Sequence, residues 1–214
     1  MPLNQTGNRI MTKKQAQASD ISTEEKIKEA ARIVFTKKGY SATRTRDIAE
    51  EAGINLALLN YYFRSKQKLF EQVMLEKVQL LFGHIVPVLN DTQSSLETKV
   101  EQIVTLYIDM ISQNPDLPLF VLSEIRNHPV HFAESFELGQ ILRQSTFIKQ
   151  LNERRPDIHP VHFLMNMLGM TLFPFIAKPV FQAIGLVDEN QFTMIMRERK
   201  ALIPSWTNAI LNTL

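Results

Sequence analysis

Apolar residues along this chain recur three and four positions apart, segment after segment, and no alternating run of strand type stands out. Such a chain can bury its apolar stripes only by packing helix on helix, so the expected fold class is all-α. Proline and glycine punctuate the pattern. After residue 65 they set off helical segments at about 66–86, 96–113, 117–127, 129–154, 160–185 and 188–214. Pro174 and Pro179 fall inside the fifth segment and should kink or interrupt it. That segment, "VHFLMNMLGMTLFPFIAKPVF", is apolar nearly all round and needs cover on several sides. Its most hydrophobic run, Val161 to Ala177, is shorter than the ~20 residues that span a bilayer. It also carries His162, Asn166 and Pro174, and reads as a buried helix of a soluble protein.

The first twenty residues, "MPLNQTGNRIMTKKQAQASD", have neither a hydrophobic period nor the apolar centre of a signal peptide. They read as a flexible arm, whose Arg9, Lys13 and Lys14 could touch phosphate but are more simply solvated. The next stretch, "ISTEEKIKEAARIVFTKKGY", is bounded like a helix. Ser22 and Glu25 have capping-box spacing, Ile27, Ala30, Ala31, Val34 and Phe35 share a face, and Gly39 supplies a left-handed cap. A second, short helix is expected over Thr45–Glu51, turning Ile48, Ala49 and Ala52 inward and ending at Gly53. A third starts at Asn55 and reaches Tyr62. Two short helices around a glycine turn, behind a longer supporting helix, form a helix-turn-helix, here over residues 21–70.

The third helix has two apolar sides. At 100° per residue Leu58, Leu59 and Tyr62 share a face with Ile54 and can plug into the first two helices. Leu56, Ala57, Asn60 and Tyr61 lie opposite and carry no charge. A face bound for water normally carries charge. One bound for a DNA major groove need not, because apolar groups meet thymine methyls there and Asn reads a base edge. Charge distribution points the same way. Residues 1–70 hold 13 Lys and Arg against 7 Asp and Glu, a net +6, while residues 71–214 hold 11 against 15, a net −4. The basic part is suited to a polyanion. Cysteine is absent, which excludes disulfides and thiolate chemistry and fits a reducing, cytoplasmic setting.

The segment "EAARIVFTKKGYSATRTRDIAEEAGINLALLNYYFRSKQKLF" resembles the DNA-binding domain of the TetR family of bacterial transcriptional regulators. The likeness runs over about Ser22–Met74 and rests on ordered signals: Phe35 with Gly39-Tyr40, then "RDIAEEAGI", then "YYFRSKQKLF". It implies that the third helix lies in the major groove, with Leu56, Ala57, Asn60 and Tyr61 facing bases or the adjacent backbone. It places Arg46 where members reach a base, often guanine, and Thr45, Tyr62 and Lys66 where they hold phosphates. The family more often has tyrosine in place of Asn60 and a small or polar residue in place of Leu56, which bears on the operator read rather than on DNA binding. Each assignment has a plainer rival. Tyr62 can be core with its hydroxyl at the rim, Lys66 a solvated helix start, and Arg46 a partner of Glu50 one turn on.

The resemblance also implies a homodimer, its last two long helices packed against their copies as a four-helix bundle, and a small-molecule pocket among the inner helices. Met110, Phe120, Met165, Met167, Met170 and Phe173 are candidate pocket residues, although ordinary core packing serves each as well. The ligand would be apolar or amphipathic. "HPVHF" occurs at His128 and again at His159, but a single helix over 129–154 would hold the two copies ~39 Å apart, so no shared metal is expected. Proline at the first helical position accounts for both copies. No cofactor or catalytic arrangement is evident. The expected organisation is an arm (1–20), a helix-turn-helix domain (21–70) and a helical effector-binding and dimerisation domain (71–214). The expected function is a cytoplasmic repressor released from a palindromic operator by its ligand. The alternative is a helical interaction or sensor module whose helix-turn-helix does not read DNA.

Overall fold

The computed structural model describes the backbone of residues 6–212 and the side chains of residues 23–212. Those residues form eleven helices and no strand: α1 Thr6–Ala42, α2 Thr45–Glu51, α3 Leu56–Tyr62, α4 Lys66–Asn90, α5 Leu96–Gln113, α6 Leu117–Asn127, α7 Pro129–Ser135, α8 Leu138–Gln144, α9 Thr146–Arg154, α10 Pro160–Ala183 and α11 Glu189–Asn212. The chain divides into two compact units, Met1–Leu75 and Glu76–Leu214, and α4 contributes to both.

In the N-terminal unit the stripe Ile27, Ala30, Ala31, Val34 and Phe35 of α1 is buried, together with Ile48 and Ala49 of α2, Leu59 of α3 and Leu69 and Val73 of α4. Gly39, at φ 73°, breaks the regular part of α1, and one more turn follows to Ala42. Upstream, α1 begins at Thr6. Most of the segment expected to be an arm is therefore helical, because residues 8–20 hold no glycine or proline to stop a helix that is already running. The start expected at Ser22 is lost for the same reason, and the Ser22 side chain lies outside the described residues.

The C-terminal unit is organised around α5. Val100, Ile103, Val104 and Ile108 of that helix meet Phe147 and Leu151 of α9, Phe163 and Met167 of α10, and Phe192, Met196, Ile203 and Leu211 of α11. Three helices, rather than the expected one, occupy residues 129–154. Glu137 adopts a left-handed φ of 49° that ends α7, and Ser145 starts α9 by accepting the Ile148 N–H at 3.4 Å. The break accompanies burial of Phe132 and Phe136, whose rings lie 4.9 Å apart, with Phe136 stacked on Phe82 at 4.9 Å. The ~39 Å separation of the two histidine motifs falls with the single helix.

Proline interrupts neither α4 nor α10. Helix α4 continues through Pro87 to Asn90, and α10 runs through Pro174 and Pro179. Pro174 cannot donate to the carbonyl of Met170 four residues back. The Arg199 Nη2 of α11 donates to that carbonyl at 2.6 Å, so a side chain restores the missing bond. Nor is α10 covered all round in this chain: Phe163, Met167, Thr171 and Pro174 are buried, whereas Val161, Met165, Phe173 and Val180 are exposed.

Candidate nucleic-acid interface and ligand cavity

The helix-turn-helix is fixed by its turn. Gly53 takes φ 65°, the Ile54 N–H donates to Ala49 O at 3.0 Å, and the Gly53 N–H donates to Glu50 O at 3.1 Å. This paired closure ends α2 and requires a left-handed residue, which glycine supplies without strain. Asn55 then starts α3 by accepting the Leu58 N–H at 2.7 Å. At the other end of α2 the Asp47 carboxylate accepts the Arg44 backbone N–H at 2.9 Å and lies 3.2 Å from Lys38 Nζ. The Arg44 bond, then Lys38, holds the Asp47 carboxyl below the usual carboxylate range.

Helix α3 divides as its periodicity requires. Leu59 is 0% exposed, with Ile54, Leu58 and Tyr62 half-buried around it. On the far side Ala57 and Asn60 are exposed, and Tyr61 is 77% exposed. Leu56 is only half-buried, less open than a free surface leucine. Tyr61 and Tyr62 meet edge to face at 5.4 Å, each limiting the other's ring. Arg46 is exposed and makes no ion pair among the described residues; the pairing with Glu50 does not form. Thr45, at the first position of α2, is half-buried.

Lys66 is held differently from an outstretched phosphate arm. Its Nζ donates to Tyr40 O and Thr43 O, both at 2.9 Å, and sits 4.2 Å from the centre of the Tyr40 ring. The Tyr40 ring packs 4.6 Å from Phe70 and 6.2 Å from Phe35. Lys66 therefore ties the start of α4 to the turn before α2. Ser65 accepts the Lys68 N–H at 3.1 Å and leaves the first amides of α4 at the surface beside exposed Arg64 and Lys68. Sequence reasoning passed over Arg64, Lys68 and Arg44, all exposed around the reading helix. The basic character of Arg64 and Lys68 just after "NYYF", and of Arg44 just before the second helix, was the available signal.

Comparison with known proteins agrees with this geometry. The family model described as bacterial regulatory proteins, tetR family, matches residues 27–73, which take in the later part of α1, all of α2 and α3 and the start of α4. The chain belongs to the TetR family. It is 27% identical over 200 residues to the Bacillus subtilis protein named "Probable HTH-type transcriptional regulator YttP", covering 86% of this chain and 94% of that one. It is 32% identical over 119 residues to the HTH-type transcriptional repressor KstR2 of Mycolicibacterium smegmatis, covering 50% of this chain and 58% of the other. A solved Mesorhizobium loti chain assigned to the same family shares the fold, with a TM-score of 0.59 at 19% identity over 89% of this chain and 96% of that one. The protein is a TetR-family transcriptional regulator.

The C-terminal unit of this TetR-family protein contains a cavity of about 360 Å³. Its walls are Leu81 and Ile85 of α4, Ile103 and Tyr107 of α5, Leu122 of α6, Ile141 of α8, Phe147 of α9, and Leu164, Met165, Leu168 and Leu172 of α10, among other apolar residues. Of the six candidate pocket residues, Met165 and Met167 line it. Met170 and Phe173 instead line a groove between α10 and α11 that Arg199 also borders. Met110 packs on the core, where its sulfur and carbonyl accept from Asn114 Nδ2, and Phe120 is buried. Tyr107 and Ser145 are the polar wall residues that the sequence reading missed. Tyr107 follows Ile103 and precedes Ile111 at four-residue intervals, so the inward stripe of α5 already pointed to it. The histidines stand apart from the cavity: His159 caps α10 through Nδ1, and no group of three or more possible metal ligands occurs among the described residues.

Proposed function

We propose that this TetR-family protein is a homodimeric, cytoplasmic repressor that a small apolar or amphipathic ligand releases from a palindromic operator. The N-terminal unit would read DNA and the C-terminal unit would dimerise and hold the ligand. The observation that carries the first part is the outer side of α3, where Ala57, Asn60 and Tyr61 are exposed, uncharged and rigidly backed by buried Leu59. In this reading those residues and Leu56 meet base edges or adjacent sugars, and unpaired Arg46 takes a guanine. Thr45, Tyr62 and the open first turn of α4 take phosphates, with Lys66 positioning that turn and offering its remaining N–H. The name of the M. smegmatis relative supports repression.

Support for a dimer comes from the large apolar side chains left at the surface of α10 and α11, among them Phe173, Val180, Met194, Leu202 and Trp206. Two reading helices also fit DNA better than one, because half-sites about 34 Å apart multiply a weak single contact. Release requires differential affinity: the ligand must favour a conformation that holds DNA poorly. Helix α4 suits that role, since its first turn carries Lys66 and its later turns carry cavity residues Leu81 and Ile85.

The test is selection of bound fragments from a genomic library, followed by anisotropy titrations on the winning sequence. A palindrome bound by a dimer, with affinity falling steeply as salt rises, is the expected result. Equal affinity for all sequences, or a monomer in sedimentation at micromolar concentration, would overturn it.

A further inference from the structure

The cavity of the C-terminal unit has an unusual balance of groups. Among the described residues Lys, Arg, His, Asp and Glu are all absent from its wall, and only Tyr107 and Ser145 bring side-chain oxygens to it. The Ser145 oxygen already accepts the Ile148 N–H. Tyr107 has no hydrogen-bond partner among the described residues, and burial in apolar surroundings pushes its pKa up to about 12. It therefore remains a neutral phenol, able to donate one hydrogen bond and accept another. Lys99 is a buried cation of the same unit, but its Nζ is engaged by Ser94 O at 2.6 Å and Gln150 Oε1 at 2.9 Å and lies outside the wall. An ionised carboxylate or phosphate placed here would give up its water and find no counter-charge, so its binding is disfavoured.

We infer that the cavity selects an uncharged, largely aliphatic molecule bearing one oxygen function that hydrogen-bonds to the Tyr107 hydroxyl. Size sharpens the class. Water occupies about 30 Å³ in the liquid, so about 360 Å³ admits on the order of a dozen heavy atoms. Medium-chain alcohols, esters and lactones have that size, and fatty acids of equal length carry the wrong charge. Exposed Val161 and Met165 mark where the wall reaches the surface and where a longer tail could emerge.

This inference rests on the ligand-released reading and is tested without DNA. The full-length protein is titrated by calorimetry at pH 8 with 1-decanol and with decanoate, and the same titrations are repeated on Tyr107→Phe. Binding of 1-decanol at least tenfold tighter than decanoate is expected. Tyr107→Phe, which keeps the ring in place, should weaken 1-decanol about two- to tenfold, the range for one neutral hydrogen bond, and leave decanoate unchanged. Glu50→Ala, an exposed position in the N-terminal unit, should change neither. Decanoate binding as well as 1-decanol, an unaltered 1-decanol affinity in Tyr107→Phe, or no uptake of either probe would each overturn the inference. Operator binding measured in parallel keeps the two readings apart: a protein that binds its operator and is released only by an anionic compound remains a ligand-released repressor but lacks this specificity.

Discussion

Leu59, Ile48 and Ile27 are fully buried where three helices of the N-terminal unit converge, whereas the C-terminal unit leaves about 360 Å³ open beside Ile103, Tyr107 and Leu164 and keeps Phe173 and Trp206 at its surface. The contrast separates two uses of apolar residues. At ~24 cal/mol per Å³, a closed and empty void of this size would cost on the order of 9 kcal/mol. That is comparable to the ~5–15 kcal/mol that holds a whole domain together. Such a space is tolerable where it opens to solvent or receives a guest. The first unit spends its apolar residues on rigidity, which a reading helix needs; the second leaves part of its apolar surface for something else to cover.

Truncating one leucine in each unit tests this contrast most directly. Leu59→Ala should lose about 2–5 kcal/mol, as expected for a buried leucine in a full core. Leu164→Ala, half-buried on a wall that already faces space, should lose well under half as much. The chain's single tryptophan, Trp206, lies in the C-terminal unit, so its fluorescence follows that unit while circular dichroism follows all helices. Leu59→Ala should shift the dichroism transition and leave the Trp206 transition in place. Equal losses for the two leucines would mean that the second core is as tightly filled as the first.

Lys66 provides the next largest effect. Substitution by Met keeps the aliphatic stem on Tyr40 but removes the donors to Tyr40 O and Thr43 O. Hydrogen bonds to a charged group are worth about 1.5–3 kcal/mol, and a loss of that order is expected in the N-terminal unit, with faster amide exchange at Thr43 and Arg44. DNA affinity should fall on every sequence alike. A variant as stable as the parent but defective on DNA would make Lys66 a phosphate contact and nothing more.

Arg46→Ala and Asn60→Ala should each remove about 1–3 kcal/mol of discrimination against the wrong base, read by anisotropy on the selected operator and on single-base variants. Stability should be unchanged, because both side chains are exposed. Loss of affinity without loss of discrimination would move them from bases to backbone.

How much of this was legible in advance follows the same division. Thr45–Glu51, Leu96–Gln113 and Leu117–Asn127 have the bounds expected from apolar spacing, with Gly53, Asn114-Pro115 and His128-Pro129 as local stops. The split of α3 into Leu59 against Asn60 and Tyr61 was legible for the same reason, since a helix's own geometry decides it. Events that depend on distant partners were not. The break at Glu137 accompanies a stacking of Phe136 on Phe82, fifty-odd positions away. The continuity of α10 across Pro174 goes with an arginine on another helix. The clamp role of Lys66 requires Tyr40 and Thr43 to be in place first. In the cavity, methionine and phenylalanine drew attention by type, while leucine, isoleucine and one tyrosine form most of the wall.

The smallest expected effect concerns a buried charge in the C-terminal unit. Lys99 is 0% exposed, and desolvation lowers its pKa from the ordinary 10.5, partly offset by Asp91. A lysine whose folded pKa is depressed binds fewer protons folded than unfolded between the two values. Stability must therefore rise with pH through that window and level off above about 10.5. Lys99→Met removes the titrating group and should flatten this rise. It should also leave neutral-pH stability nearly unchanged, because the lost desolvation penalty offsets the lost bonds to Ser94 O and Gln150 Oε1. Gln150 Nε2 continues to donate to Ser94 O at 3.0 Å, so that carbonyl keeps a partner. Urea unfolding followed through Trp206 at intervals from pH 7 to 10.5 measures both slopes. A parent slope no steeper than that of Lys99→Met would show that the ammonium is as well solvated in the fold as in the open chain, and that the core around α5 is wetter than its burial implies.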